Sequence, residues 1–598
     1  MSRRGLPART RGRRGQEVPW THTGAKGGGG FRPTPWRVSS RGMDSLGKGK
    51  LAGTLLFVLP LAFLALVFFL PLWEVLGLGL REGGHFTLAR FRELLSDPYV
   101  RYLLRFTTEQ ALISSALSFA LGFPLGWLLA RYRFRGREIL RAATLVPFVL
   151  PPITVALGFV LFFGHSGYLN RALMGAFGFE SPPVRILYSL WGIVLAHAFY
   201  NAPVFARFVA AAWEGLDPEP LEAARTLGAS PFWAFLTVTL PGLLPAIASA
   251  FSLVFIFCFL SFAIPLTLGG ARYATLEVGV YLFARVYNRV PRAAALALLE
   301  LLISLAFAYL YIRGGGLFSG SREGSGRTLP RTALFSRRAH ILWGIYLFCA
   351  AVLFLGPMLS VVADSFLRAG PTLRWYRLVF SPAHNPYIGA SPLRAIGVGV
   401  SVGVMAASGA LVLGTAIAWG LRTVGRFPFS RALEAVLLAP LAVSSVVLGL
   451  ALLLAFRRPP LSPLAGTPWG IALAHLLLTY PFVVRLVKPM WDALDPELRE
   501  AARTLGADPL RAFLTVELPL LSRPLTAAWA FAFALSLGEM TAVAMLSRPG
   551  LTTIPFAIYQ LIGGREFGAA SAMATILIVV TGSVVFLWER LASRVHLR

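Results

Sequence analysis

The sequence is poor in charge and in cysteine. Only 14% of its 598 residues are charged, against about 25% in an average soluble domain, so a set of ordinary soluble domains is excluded. The two cysteines, Cys258 and Cys349, both lie in apolar runs, where a thiol normally packs as a small hydrophobe. We therefore expect no disulfide framework.

Motifs of enzyme and metal sites are missing as well. The eight histidines show neither the HExxH pattern nor Cys/His ligand spacing, so we predict no metal site and no catalytic residue that depends on one. No segment has the P-loop pattern of Gly-x-x-x-x-Gly-Lys followed by Ser or Thr, which predicts that this chain does not hydrolyse a nucleotide itself. The apolar runs also contain no convincing set of nucleophile, base and carboxylates, which argues against an intramembrane enzyme.

Long apolar runs are what the sequence has instead. The first, residues 51–72, contains no charged residue and is long enough to cross about 30 Å of hydrocarbon as a helix. The predicted fold is an all-α membrane protein with about twelve transmembrane helices. The predicted helices begin near residues 51, 104, 139, 186, 236, 294, 340, 394, 431, 467, 519 and 569.

The net charge of +29 lies mostly outside these runs. Residues 1–42 hold ten Lys or Arg against one acid, and residues 131–141 hold five Arg against Glu138. Cytoplasmic segments of membrane proteins carry this bias. We therefore assign the basic charge to the cytoplasmic side of a membrane and expect no nucleic-acid partner.

Composition divides the chain into four parts. Residues 1–50 are rich in Arg and Gly and poor in aliphatic residues, so we predict a basic disordered tail, with Met43 as a second candidate start. Residues 314–338 are a Gly/Ser/Arg stretch typical of a flexible cytoplasmic linker. The linker separates two predicted six-helix halves, residues 51–313 and 339–598.

An internal repeat relates the two halves. Residues 216–229 (LDPEPLEAARTLGA) recur as residues 494–507 (LDPELREAARTLGA), at an offset of 278 residues. The same offset relates His197 to His475. Because each half has an even number of predicted helices, both copies must face the same side of the membrane, so the repeat is parallel and not inverted.

Each copy of the repeated motif predicts two short helices joined by a bend. Asp217 and Asp495 precede a proline, the arrangement of an N-cap followed by proline at the first helical position. Gly228 and Gly506 come where the helix should end, because glycine accepts the left-handed backbone that closes a helix. The residues alone leave two interpretations open: a docking element for a partner, or a plain amphipathic loop helix.

The repeated motif also resembles the EAA motif of binding-protein-dependent ABC importer permeases. Each copy has a Glu-Ala-Ala triplet, a glycine six residues after the glutamate, and a Val-x-Leu-Pro sequence downstream. The resemblance covers nearly everything from residue 51 onward, and the two-in-one arrangement is similar to the fused permeases of ferric iron and of thiamine uptake. It implies the type I permease fold. The matching segments are Glu222-Ala-Ala, Gly228 and Val238-Thr-Leu-Pro241, and Glu500-Ala-Ala, Gly506 and Val516-Glu-Leu-Pro519.

In that family the motif is the coupling helix, which inserts into the ATP-binding subunit. The resemblance therefore implies two copies of an ABC ATP-binding subunit and an external solute-binding protein as partners, besides the lipid bilayer. It implies no cofactor on this chain, while the partner ATPase uses ATP and Mg. The residues to which it assigns ATPase coupling are Asp217, Glu222, Ala223, Ala224 and Gly228, and Asp495, Glu500, Ala501, Ala502 and Gly506.

Polar residues at the ends of predicted helices are candidates for the solute path. Glu539 ends the eleventh run, and an ionisable group at membrane depth is a functional candidate by default. It either lines the path, where it would favour a cationic solute, or lies at the external interface as a solvated or paired carboxylate. The other candidates are Ser261, Ser536 and Thr541.

Histidines and prolines within the apolar runs have two interpretations each. His197 and His475 could relay protons, but polar groups commonly hydrogen-bond across membrane helices, so we predict a packing role for both. Pro147, Pro151 and Pro152 either break the third run near a cavity or form simple kinks.

Together these features predict the translocation subunit, not an enzyme, of an ATP-driven importer in a bacterial-type inner membrane, with both termini cytoplasmic. The expected solute is iron(III) or thiamine. One alternative is a secondary transporter with parallel repeats, which would leave the duplicated motif unexplained. Another is an ABC permease for a different small solute, such as a polyamine or an oxyanion.

Overall fold

The structure is a computed structural model that describes most of the chain beyond the predicted tail. The whole of the predicted tail and most of the predicted linker lie outside the described residues. The described residues are 58–82, 85–144, 147, 150–318, 332–333, 337–368, 370–424 and 430–593.

Helices make up nearly all of the described structure. In the first half they are α1 (Val58–Leu80), α2 (Ala89–Ser96), α3 (Pro98–Arg131), α4 (Arg137–Ala143), α5 (Pro152–Phe163), α6 (Tyr168–Phe177), α7 (Leu190–Glu214), α8 (Pro218–Thr226), α9 (Pro231–Phe259), α10 (Ala263–Leu268), α11 (Leu276–Tyr281) and α12 (Val290–Phe318). In the second half they are α13 (Arg337–Leu367), α14 (Arg374–Val379), α15 (Pro392–Val424), α16 (Ser430–Leu437), α17 (Ser445–Ala455), α18 (Pro468–Asp492), α19 (Pro496–Thr504), α20 (Phe513–Gly538, preceded by the turn Pro509–Ala512), α21 (Thr541–Leu546), α22 (Ile554–Gly563) and α23 (Phe567–Ser593).

Four two-residue strands form two small ribbons. The strands β1 (Arg81–Glu82) and β2 (His85–Phe86) pair antiparallel after α1. The strands β3 (Tyr132–Arg133) and β4 (Thr332–Ala333) pair in parallel, which joins the end of α3 to the segment before α13.

Eleven of the described helical segments are long and apolar enough to cross a membrane, six in the first half, where α5 and α6 count together as one segment, and five in the second. The prediction of a continuous helix beginning near residue 431 is wrong. That run is divided into α16, a 3-10 helix (Ala439–Ala442) and α17, because Pro440 cannot continue the helical hydrogen bonding and Ser444 starts a new helix as its N-cap.

The corresponding run of the first half is also divided. The prediction placed a helix start near residue 139, but α4 ends at Ala143 and α5 begins only at Pro152. Of the two interpretations left open for Pro151 and Pro152, the structure therefore shows a break in the helix and not a simple kink. The buried Leu150 and Pro151 form the connection into α5.

Each half is built around one close helix crossing. In the first half Gly122 of α3 lies against α7, where an added Cβ would lie 2.3 Å from the carbonyl oxygen of Ala202. In the second half Gly414 of α15 lies against α18, where an added Cβ would lie 2.8 Å from the side chain of Val483. Small residues let membrane helices approach this closely, so the same packing device is used twice.

In each half, the short helix that follows the interruption packs against the other half. Helix α5 of the first half packs on α13, α22 and α23 of the second, and α17 of the second half packs on α1, α11 and α12 of the first. The contacts are reciprocal, because the repeat relates the two sets of contacted helices. The second-half helices α13, α22 and α23 correspond to the first-half helices α1, α11 and α12. The interface between the halves is therefore made largely by these two short helices.

We predict that Gly122→Ala destabilises the folded protein. The new methyl group would overlap a backbone oxygen that cannot move aside, and overpacking of a core costs about 1–3 kcal/mol. Thermal unfolding in detergent should show a lower Tm. Gly582→Ala in α23 is the matched control, because open space surrounds that position, and it should leave the Tm unchanged. Equal Tm values for the two variants would contradict the close crossing.

Candidate functional site

The two copies of the repeated motif form the same bend. Asp217 accepts a hydrogen bond from the Glu219 backbone N–H at 3.1 Å and caps α8, and Asp495 caps α19 in the same way. Both helices end in a left-handed glycine, with φ of 87° at Gly228 and 88° at Gly506. These observations confirm the predicted caps and the predicted glycine bends.

The outer surface of each bend is exposed. Glu222 and Glu500 point away from the core, and Ala223 and Ala501 are exposed as well, whereas Ala224 and Ala502 are half-buried. The leucines just before the two glycines are 88% exposed. Sequence reasoning missed these leucines, although both stand inside the repeated motif, because a leucine between helical residues is normally read as a core residue. They are Leu227 and Leu505.

A cavity of about 410 Å³ lies between the two halves. It is bounded by the start of α5, one face of α7, and the ends of α9 and α20 with the segments that follow them. Its lining residues are Leu150, Pro151, Pro152, His197, Tyr200, Asn201, Phe257, Leu260, Ser261, Phe262, Ala263, Ile264, Ala534, Leu535, Gly538, Glu539, Met540 and Thr541.

Three of the four residues predicted for the solute path line this cavity: Ser261, Glu539 and Thr541. Ser536 is not among the lining residues. Its hydroxyl group is buried and lies 2.7 Å from Nδ1 of His475. The sequence could not separate it from the others, because one residue more or less along a helix decides whether a side chain faces a cavity or a neighbouring helix.

Glu539 is held in place by the helix that follows it. Its Oε1 accepts hydrogen bonds from the backbone N–H groups of Thr541 at 2.7 Å and Ala542 at 3.0 Å. These are the free donors at the start of α21, which favour a negative group. The first-half counterpart of Glu539 at the 278-residue offset is Ser261, so the cavity has a carboxylate on one side and a hydroxyl group on the other.

The two equivalent histidines hydrogen-bond across helices, as predicted, but with different partners. His197 of α7 pairs with Ser114 of α3 at 3.1 Å, whereas His475 of α18 pairs with Ser536 of α20. In the first half Cys258 is the counterpart of Ser536, and its Sγ accepts a hydrogen bond from the side-chain amide of Asn201 at 3.4 Å. The packing role is therefore shared by both halves, while its atoms differ.

Comparison with protein families gives two matches to one family, described as the inner membrane component of binding-protein-dependent transport systems. The matches cover residues 122–313 and 410–596, one in each half. The chain belongs to this family. The permease is thus the translocation subunit of an ABC importer and not an enzyme, and the ATPase is a separate subunit. This result confirms the predicted resemblance and sets aside the alternative of a secondary transporter.

Similar proteins cover most of the permease. The thiamine transport system permease protein ThiP of Brucella abortus (strain 2308) is 28% identical over 515 residues, which is 86% of this chain and 90% of that protein. ThiP of Escherichia coli (strain K12) is 30% identical, with 83% of this chain and 90% of that protein covered. The family and these relatives support a multi-pass inner membrane protein that works with an ATPase and a binding protein.

Two further similarities are more limited. A Salmonella paratyphi A protein named as a candidate 2-aminoethylphosphonate transport system permease, PhnU, is 34% identical over 256 residues, 42% of this chain and 88% of that protein. The crystal structure of a bacterial ABC transporter involved in the import of the acidic polysaccharide alginate matches with a TM-score of 0.39 and 15% identity. That match covers 47% of this chain and 100% of the other.

We predict that Glu539→Ala lowers the Tm of the permease while Glu539→Gln does not. Alanine leaves the two N–H groups at the start of α21 without their acceptor, and loss of a helix cap costs about 0.5–2 kcal/mol. Glutamine keeps an oxygen at the same place. Thermal unfolding of the two variants in detergent tests this, and a Tm loss of equal size in both would show that the charge, not the cap, stabilises this segment.

Proposed function

We propose that this permease imports thiamine and that Glu539 binds the positive charge of the solute in the cavity between the halves. The observation that carries the proposal is the carboxylate of Glu539 in the cavity wall. Relatives named as thiamine permeases, which cover more than four fifths of the chain, support the choice of solute. Thiamine carries a cationic thiazolium ring, which a carboxylate attracts.

The rest of the cavity wall suits an aromatic cation. Tyr200, Phe257 and Phe262 contribute aromatic rings, which stack on flat ligands and attract cations. None of the lining residues is Lys or Arg, so an oxyanion would have no positive partner there. Iron(III) prefers several oxygen ligands of carboxylate type, and the wall offers a single carboxylate. Thiamine therefore fits this wall better than iron(III) or an oxyanion does.

Coupling to ATP is proposed to run from each bend to the cavity through a single helix. Helix α9 begins just after the Gly228 bend, and its last turn brings Phe257 into the cavity wall, with Leu260 directly after the end of the helix. Helix α20 connects the Gly506 bend to the cavity in the same way, ending with Gly538. A partner that moves both bends would therefore move both walls of the cavity, which is what alternating access requires.

The assembly is proposed on the same basis. Two copies of an ABC ATP-binding subunit, which use ATP and Mg, bind α8 and α19, and the exposed Leu227 and Leu505 enter their surfaces as apolar contacts. The coupling residues are those of the two EAA motifs, from Asp217 to Gly228 and from Asp495 to Gly506. An external binding protein delivers the solute to the opposite side.

The topology follows from the distribution of charge. Residues 51–313 and 339–598 act as two permease domains, while the linker and both termini lie in the cytoplasm. The Arg-rich segment that includes α4 lies on the same side as the bends in this arrangement, as the positive-inside bias requires.

We predict that Glu539→Gln weakens thiamine uptake without unfolding the permease. A hydrogen bond or contact to a charged group contributes about 1.5–3 kcal/mol, so the KM for thiamine should rise about tenfold or more. The measurement is uptake by vesicles that contain the permease, its ATPase and its binding protein. The affinity for an analogue with a neutral ring in place of thiazolium should change little in this variant. Gly582→Ala, which lies outside the cavity, is the control variant. An unchanged KM for thiamine would remove Glu539 from the proposed site.

We predict that the double variant Gly228→Val, Gly506→Val inserts into the membrane but loses ATP-dependent uptake. A side chain in the left-handed region costs about 1–2 kcal/mol per residue, and a β-branched one fits it worst. The bends should then lose their angle. The matched control is Gly228→Asn, Gly506→Asn, because asparagine tolerates this backbone. Co-purification of the ATP-binding subunit and uptake are both measured. Full uptake by the valine variant would defeat the coupling assignment.

A further inference from the structure

Two buried glutamates lie outside the cavity and have no assigned role. Glu277 of α11 is 1% exposed and Glu300 of α12 is 0% exposed, and neither lines the cavity. All four of their carboxylate oxygens are buried without a hydrogen-bond partner. Helices α11 and α12 pack on each other and on α17 of the opposite half, and in this contact the two carboxyl groups interact with each other and with the hydroxyl group of Ser444, the N-cap of α17.

The charge of this pair is not balanced by a base. In the described part of the chain no salt bridge includes either glutamate. Arg285, which lies just after α11, donates instead to the backbone oxygen of Ser547 at 2.7 Å, and Arg292 of α12 pairs with Asp97. Glu539, which also interacts with Glu277, is another acid.

Elementary chemistry then limits the state of the pair. Two ionised carboxylates offer only acceptors, so neither could hydrogen-bond to the other, and two like charges buried side by side repel each other strongly. If the pair binds one proton, the protonated carboxyl group donates a hydrogen bond and the ionised carboxylate accepts it. Pairs of carboxylates that share a site behave in this way, because like charges at contact disfavour double ionisation.

The second half shows that the fold does not need these acids. Glu277 stands two residues after the N-cap Thr275 of α11, and the same position of α22 is Pro555 after Thr553. Counted from the helix starts Val290 and Phe567, the counterpart of Glu300 in α23 is Leu577. The backbone oxygen of each accepts a hydrogen bond from the hydroxyl group of the residue four positions later. The same packing is therefore made in the other half with Pro and Leu.

We propose that Glu277 and Glu300 form a binding site for one shared proton at the interface between the two halves. Ser444 is the group through which the opposite half covers the pair. Movement of α17 away from α11 and α12 would bring water to the carboxyl groups and let the proton leave. That second step rests on the proposed alternating access, whereas the proton site itself does not depend on the solute or on transport.

Infrared spectroscopy of the purified permease in lipid tests the site directly. We expect a carbonyl stretch of a protonated carboxyl group at neutral pH, where ordinary glutamates are ionised. The band should be lost in the double variant Glu277→Gln, Glu300→Leu, in which leucine copies the second half. It should be retained in Glu539→Gln, the control for the neighbouring acid. Absence of the band from the natural protein, or its persistence in the double variant, would overturn the proposal.

If the double variant does not fold well enough to be purified, a single variant provides the test. Glu300→Leu alone removes the partner with which Glu277 shares the proton, so the band should shift or disappear. An unchanged band in this variant would equally overturn the proposal. These spectra need no solute, so a failure of the thiamine assignment and a failure of the proton site give different results.

Discussion

Backbone that is not helical can lie at membrane depth only where protein encloses it, because hydrocarbon offers no hydrogen bonds. In the described part of the chain this permease meets that constraint before α5 and before α17. Leu150, Pro151, Val443 and Ser444 are all buried at these interruptions. Each interruption is enclosed because the two halves exchange the short helix that follows it. The interface between the halves and the cavity beside Pro151 both depend on this exchange.

The two halves share a backbone plan but not a chemistry. Close crossings at Gly122 and Gly414, and glycine bends with nearly equal φ angles, repeat because they determine helix positions. The polar groups differ, since a carboxylate faces a serine across the cavity and a buried glutamate pair faces the interface on one side only. The two halves therefore have equivalent backbones, and different residues at equivalent positions make the solute path asymmetric.

The route from bend to cavity is short because one helix covers it. Helices α9 and α20 each begin beside a bend and end in the cavity wall. A rigid helix transmits displacement of one end to the other, so no chain of side-chain contacts is needed to connect the proposed ATPase contact with the proposed solute site. The bends themselves are exposed and contribute little to the core, which suits a surface that must accept a partner.

The sequence by itself determined the features that depend on near neighbours along the chain. Apolar runs indicate membrane helices, the Asp-Pro starts and Gly228 and Gly506 determine the bends, and the repeat relates the halves, since each depends on local backbone preferences or on length alone. Only the tertiary structure decided that the run near residue 431 is divided, that Glu539 faces a cavity while Ser536 faces His475, and that Glu277 meets Glu300. These outcomes depend on which helices pack together, and an acid or a serine in an apolar run carries no local mark of the neighbour it will meet.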